Sequence, residues 1–276
     1  MSKYKIWFQG ATDRVHMAPY ISKVESHLKG ILEPDFSATF HTTTPPATTT
    51  HAVTEYRIGR NLIKHAVEAE RQGYAAMAIT HFQDAGLAEV KSVVDIPVLG
   101  LGETTLCHAL TLGRKLGLVT INPIFIPWHE DQVIRYGMQS RVVGVRAVQA
   151  TIKDFIDSFA AEEAKRELAP KWERECRILL DAGADVIVPA GGLPMMLFGA
   201  ERGANIDGAP IVNGITLIAK TAELAIRLRE HAGMFAVSRR SNYVKPPEKA
   251  LREFLEQGLA RRWRRSWSRA PPGARR

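Results

Sequence analysis

Two stretches decide the fold: GYAAMAITHFQDAGL, residues Gly73–Leu87, and GADVIVPAGGLPMM, residues Gly183–Met196. In each, a glycine is followed by a short apolar run, a loop of small and polar residues, and a helical pattern. Extended backwards they read AERQGYAAMAITHFQDAGL and LLDAGADVIVPAGGLPMML, which is helix, glycine, strand, loop, helix twice over. A short, continuously apolar strand is buried on both faces, and such strands alternating with helices form a parallel sheet. The repetition predicts two similar lobes with their loops opposed across a cleft.

Outward from these stretches the same rhythm continues. Strands are predicted at Lys3–Phe8, Phe36–Phe40, Ala75–Ile79, Ile96–Leu101, Leu118–Ile121, Val142–Val145, Asp185–Val188 and Pro210–Val212. Helices are predicted at Ala18–Leu32, Arg57–Gln72, Gly86–Val94, Thr104–Lys115, Ile152–Phe159, Ala169–Ala182, Leu217–Glu230 and Glu248–Leu259. TTTPPATTT, Thr42–Thr50, reads as a loop because proline removes donors and threonine resists helix. Parallel sheets bind ligands outside the carboxyl ends of their strands. That rule selects the loops Gln9–Asp13, Thr80–Gly86, Gly102–Thr105, Ile121–Pro123 and Pro189–Pro194, with Asn213-Gly214 as a sixth.

With 276 residues, 45% of them hydrophobic, the chain can bury a full core. No run approaches the roughly 18 uncharged apolar residues of a membrane span, and the N-terminus lacks a secretory apolar core. Cys107 and Cys176 are too few for a disulfide framework and have no metal-ligand spacing. A cytoplasmic protein is expected. The net charge of +8 is deceptive: residues 260–276 carry seven arginines and no acid, which leaves +1 for the rest. Arginines interleaved with Trp263 and Trp267 have the chemistry of a nucleic-acid-binding segment. No basic face in the body matches them, so a solvated, dispensable tail is the expectation and nucleic acid is not expected as a partner. His41 and His51 flank the Thr/Pro run as a conceivable metal pair, but nine histidines in 276 residues make chance proximity cheap, and no metal is expected there. Gly100-x-Gly102 lacks the third glycine of a dinucleotide fingerprint, and no P-loop is present.

GYAAMAITHFQDAGL, DIPVLGLGETTLCHAL, GADVIVPAGGLPMM and APIVNGITLIAKTAE together resemble the hydantoin racemase branch of the aspartate/glutamate racemase superfamily. The resemblance implies an α/β fold of two pseudo-symmetric lobes with parallel sheets flanked by helices. It places residues 1–115 with 209–235 in the first lobe and 116–208 in the second, and leaves 236–276 as a C-terminal helix and basic tail. It also implies a cofactor-independent enzyme, expected as a homo-oligomer, that acts on a small molecule between the lobes. Family members use two cysteines as opposed acid and base; by position these fall on His81 and Ala190. That departure removes the usual two-thiol inversion, and Cys107 and Cys176, inside predicted helices, cannot replace it.

His81 is the candidate base, since imidazole titrates near neutrality and this ring follows an apolar strand. A loop histidine bonded to backbone is the bland alternative. Asp84 and Glu103 are the nearest carboxylates; Asp84 equally suits a helix cap, and Glu103 could orient His81 or complement its own helix N-terminus. Thr12, Thr104, Asn122 and the Gly191-Gly192 backbone are candidates to cradle an anionic or carbonyl oxygen. Gln9, Gly10, Thr80, Phe82, Gln83, Ala190 and Asn213 complete the expected substrate-binding set. With one base and no thiol, hydrolysis of an amide, imide or cyclic ureide is the leading expectation. Lyase or decarboxylase chemistry, isomerisation next to a carbonyl, and a non-catalytic binder are the alternatives.

Overall fold

The computed structural model describes residues 2–47 and 51–257. The arginine-rich segment, and with it the expectation of a dispensable tail, lies outside the described residues. In chain order the first elements are β1 Tyr4–Gln9, α1 Ala18–Ile31, β2 Phe36–His41, α2 Ala52–Arg71, β3 Ala76–Ile79, α3 Leu87–Val93, β4 Val98–Gly100 and α4 Leu101–Ala109. There follow β5 Leu116–Thr120, α5 Ile126–Arg135, β6 Val142–Ala147, α6 Ile152–Ala160, α7 Glu162–Asp181, β7 Val186–Pro189 and α8 Gly192–Phe198. A short hairpin, β8 Asn205–Ile206 and β9 Ala209–Pro210, precedes α9 Gly214–Ala232 and α10 Glu248–Glu256.

Two parallel sheets form the two lobes, in the orders β2-β1-β3-β4 and β6-β5-β7. Ile211 bridges to Ile187 in parallel beside β7, at the place β4 holds beside β3. The predicted strand at Pro210–Val212 is thus reduced to one bridge, because Ala209 and Pro210 are taken by the antiparallel hairpin. In both lobes the strand order is the same, and the expected pseudo-symmetry is present.

Strand alternation distributes the core. Ile6, Phe8, Ala76 and Ala78 face α1, α4 and α9, whereas Trp7, Met77 and Ile79 face α2 and α3. α2 has a stripe, Ile58, Leu62, Ile63, Ala66 and Ala69, at the three- and four-residue spacing of one helix face. α9 returns from the second lobe to the first: Glu223 accepts Glu33 N–H at 2.7 Å, and His27 Nε2 lies 2.7 Å from Thr216 Oγ1. Leu251 and Phe254 of α10 pack on the α2 and α3 side, and Arg239 hydrogen-bonds carbonyls at the end of α3.

Several boundaries differ from expectation for physical reasons. α2 begins at Ala52 rather than Arg57. α4 begins at Leu101 rather than Thr104, because Asp84 accepts the N–H groups of Gly102 and Glu103 and fixes the helix start there. α7 runs through Pro170 from Glu162, held by the buried Leu168 and Trp172, although the proline predicts a start at Ala169. α5 has no counterpart among the predicted helices.

Candidate active site

Parallel pairing aligns the strand ends. Gln9 pairs with Ile79 and Ile79 with Gly100, so the loops after β1, β3 and β4 leave one edge of the first sheet. Thr120 and Pro189 end β5 and β7 in the second sheet. The His81 loop and the Ala190 loop meet across a cavity of ≈ 140 Å³.

From the first lobe the cavity is lined by Thr12, Met17, Thr54, Glu55, Ile58, Thr80, His81, Phe82 and Gln83, and from the second by Thr120, Phe125, Ile152, Ala190, Gly191, Gly192 and Leu193, among others. Thr12, Thr80, His81, Phe82, Gln83, Ala190, Gly191 and Gly192 are therefore brought together as expected. A larger groove of ≈ 770 Å³ shares Glu55 and Gln83 with the cavity and carries Glu89, Glu103 and Asp131 on its walls. It adjoins the inner cavity as a vestibule.

His81 is paired to a carboxylate that the sequence did not single out. Its Nε2 lies 2.8 and 3.1 Å from the two oxygens of Glu55, and both side chains are largely shielded from solvent, at 15% and 20% exposure. An Nε2–H donated to Glu55 leaves Nδ1 as the bare, basic atom of the ring. Glu55 lies one turn before Ile58 on the buried stripe of α2, and a charge on an apolar stripe was the available signal.

The other two catalytic candidates are placed elsewhere. Glu103 is ion-paired to Lys91 at 2.6 Å, facing the vestibule and not His81. Asp84 is 1% exposed and accepts hydrogen bonds from Tyr136 Oη at 2.7 Å, Glu103 N at 2.6 Å, Gly102 N at 3.1 Å and Gln132 Nε2 at 3.2 Å. It serves as a cap, for α4 rather than for α3. Burial pushes its carboxyl up to about 6, against the pull of those donors. Gly100 and Gly102 explain themselves here. A Cβ on Gly100 would run into the Asp84 carboxylate, and one on Gly102 into the Gln132 amide and the Phe82 carbonyl.

Five expected substrate contacts are consumed by the scaffold. The Gln9 amide accepts from Trp7 Nε1 at 2.8 Å and donates to Gly10 O at 2.8 Å, fully buried. Gly10 donates its N–H to His41 O and lies against the Phe40 ring. Thr104 is buried within α4. Asn122 caps Ile124 N at 3.1 Å, and Asn213 caps α9 at Ile215 N and Thr216 N. Short polar side chains after strands often cap the next helix, and here that role wins. His41 is a packing residue, stacked on Trp7 at 3.4 Å.

Gly191 has φ +149 and ψ 151, a conformation open essentially only to glycine. Gly191→Ala is expected to cost about 1–3 kcal/mol, measured by urea unfolding, and to impair ligand binding in the same variant.

The chain matches known proteins over most of its length. It is 29% identical over 184 residues to a hydantoin racemase from Rhizobium meliloti, covering 66% of this chain and 71% of that one. The fold resembles allantoin racemase from Klebsiella pneumoniae, with TM-score 0.73 at 17% identity, covering 89% and 94% of the two chains. It also resembles allantoin racemase from Pseudomonas fluorescens, with TM-score 0.72 at 20% identity over 88% and 98%. These relatives are racemases, so the leading expectation of hydrolysis finds no support in them. The family model described as Asp/Glu/Hydantoin racemase matches residues 18–222, and the chain belongs to that family.

Proposed function

We propose that the protein is a cofactor-independent enzyme that removes and returns a proton at a carbon next to a carbonyl in a small, neutral cyclic ureide or related amide, with His81 as base. The observation that carries this is the His81–Glu55 pair at the edge of a cavity shared by both lobes. Hydantoin and allantoin, named in the relatives, are neutral compounds of this type. No lysine or arginine lines the cavity among the described residues, which favours a neutral substrate over a carboxylate.

In this reading Glu55 holds the imidazole in the Nδ1-bare tautomer and stabilises the imidazolium that forms when the proton is taken. Charge then develops on the substrate carbonyl oxygen. Gly192 and Leu193, at the start of α8, line the cavity on the side of the second lobe. Ala190 offers no group to titrate from the other side. A single base exchanges the proton on one face and does not by itself invert the carbon.

The test is proton NMR in deuterium oxide with one enantiomer of 5-methylhydantoin, corrected for spontaneous exchange. Enzyme-dependent loss of the C5–H signal with optical rotation retained is expected. Racemisation as fast as exchange would replace the single-base mechanism with a two-base one, and no exchange would sink the proposal. Neither cysteine lines the cavity: Cys107 is exposed on α4, and Cys176 is buried in α7 with its thiol pushed up by that burial. Alkylation of Cys107 with iodoacetamide, verified by mass, is accordingly expected to leave exchange within about twofold of the untreated protein.

A further inference from the structure

Thr120, at the end of β5, lines the cavity from the second lobe, and a chain of buried polar groups stands behind it. Its Oγ1 is 3.2 Å from Nε2 of His129, and His129 Nδ1 is 3.2 Å from Oε1 of Gln132. Nε2 of Gln132 donates to Phe82 O at 2.5 Å and to Asp84 Oδ2 at 3.2 Å. His129 and Gln132 are completely buried, and Thr120 and Asp84 are each 1% exposed.

Each link fixes the next. Phe82 O is acceptor-only, and Asp84 already takes three other donors, so the Gln132 nitrogen must face them and its oxygen must face His129. An amide oxygen against Nδ1 requires Nδ1–H. Burial holds His129 far below its ordinary range, at about 4, so at neutral pH the ring is uncharged and Nε2 carries only a lone pair. The donor within reach of that lone pair is the Thr120 hydroxyl. Ala190 O, 3.3 Å away, is the other acceptor for the same proton. Either way the proton is spent on the protein, at a residue that lines the cavity.

We infer that Thr120 determines specificity: the Asp84–Gln132–His129 relay commits its hydroxyl proton inward, so it meets substrate as an acceptor and selects a ligand with an N–H or O–H at that place. Thr80 is set in the same way from the first lobe, where its hydroxyl donates to Gln9 O at 3.0 Å. A ligand of the same shape with that donor methylated leaves Thr120 facing a methyl group and is rejected. The inference rests on the cavity being the substrate site, as in the function proposed above.

Two measurements test it. In ¹⁵N-labelled protein at pH 7, with the ring signals assigned by their loss in His129→Phe, Nδ1 of His129 is expected protonated and Nε2 bare. The Nε2–H tautomer would overturn the relay. Separately, 5-methylhydantoin and its N1-methyl and N3-methyl derivatives are titrated against wild type, Thr120→Ser and Thr120→Val. Wild type and Thr120→Ser are expected to prefer the parent over one of the methylated forms by roughly ten- to a hundredfold. Thr120→Val is expected to lose that preference to within about threefold. Undiminished preference in Thr120→Val overturns the inference. If no hydantoin binds to any of them, the proposed substrate class fails, and the ring-nitrogen result still decides the relay.

Discussion

His81→Asn is expected to reduce solvent exchange at the substrate carbon by roughly 10²–10⁴-fold, the usual contribution of a positioned general base. Asparagine keeps a polar side chain at the end of β3 but has no basic atom at neutral pH. The ring is partly exposed at the cavity wall and its side-chain hydrogen bonds among the described residues go to Glu55, so folding should barely notice. A melting temperature within a few degrees of wild type, alongside the lost rate, is the signature. Glu55→Gln should show a smaller loss: the ring stays, but nothing acceptor-only enforces its tautomer. Equal exchange in wild type and His81→Asn would remove the histidine from the chemistry.

Asp84→Ala should do the reverse, with its main effect on stability. The substitution removes a buried acceptor from Tyr136 Oη and two helix N–H groups, and leaves Gln132 Nε2 with Phe82 O alone. Each stranded buried donor costs about 1–3 kcal/mol, and with partial relaxation a total of about 3–5 kcal/mol is expected. Urea unfolding followed by circular dichroism measures it, and a loss below about 1 kcal/mol would refute the capping role. Asp84 also gives a pH signature. Its folded-state carboxyl, raised from 3.8 to about 6, holds its proton longer than the unfolded chain does. That contribution stabilises the fold at low pH and is lost as pH rises from about 4 to about 6. Asp84→Asn should flatten the stability profile in that window.

These two residues show where sequence reading succeeds and where it stops. β3 and β7 were legible because continuous apolar runs bounded by glycine have few alternatives, and the sheet-end rule then located His81, Thr80 and Gly191 at the cleft. Asp84 and Glu103 were close to His81 in sequence and turned away from it in space. Asp84's surroundings come from Gln132 and Tyr136, on and just after α5. α5 carries a proline in its first turn and mixed charges, and its periodicity did not stand out. Its omission also hid His129, a histidine on a helix face that points into the core. Glu55 was missed for a boundary reason. The helix was expected to begin at Arg57, and the two extra N-terminal residues that matter, Thr54 and Glu55, sit just upstream. Asn122 and Asn213 were chemically plausible ligands, but their side chains are the first acceptors their own helices meet.

The return of α9 to the first lobe has a consequence for synthesis. Its apolar face, Ile215, Ile218, Ala219, Ala222 and Ile226, covers a sheet whose strands precede it in the chain by a whole second lobe. A ribosome making about 5–20 residues per second needs roughly 5–20 s to pass the intervening hundred or so residues. Through that interval the nascent first sheet has one side lacking its cover, with Leu101, Leu106 and Ala109 of α4 open to non-native contact. The second lobe, continuous in sequence, has no such wait. It can close first and deliver α9 to a half-finished neighbour, so the lobe that begins the chain is the one completed last.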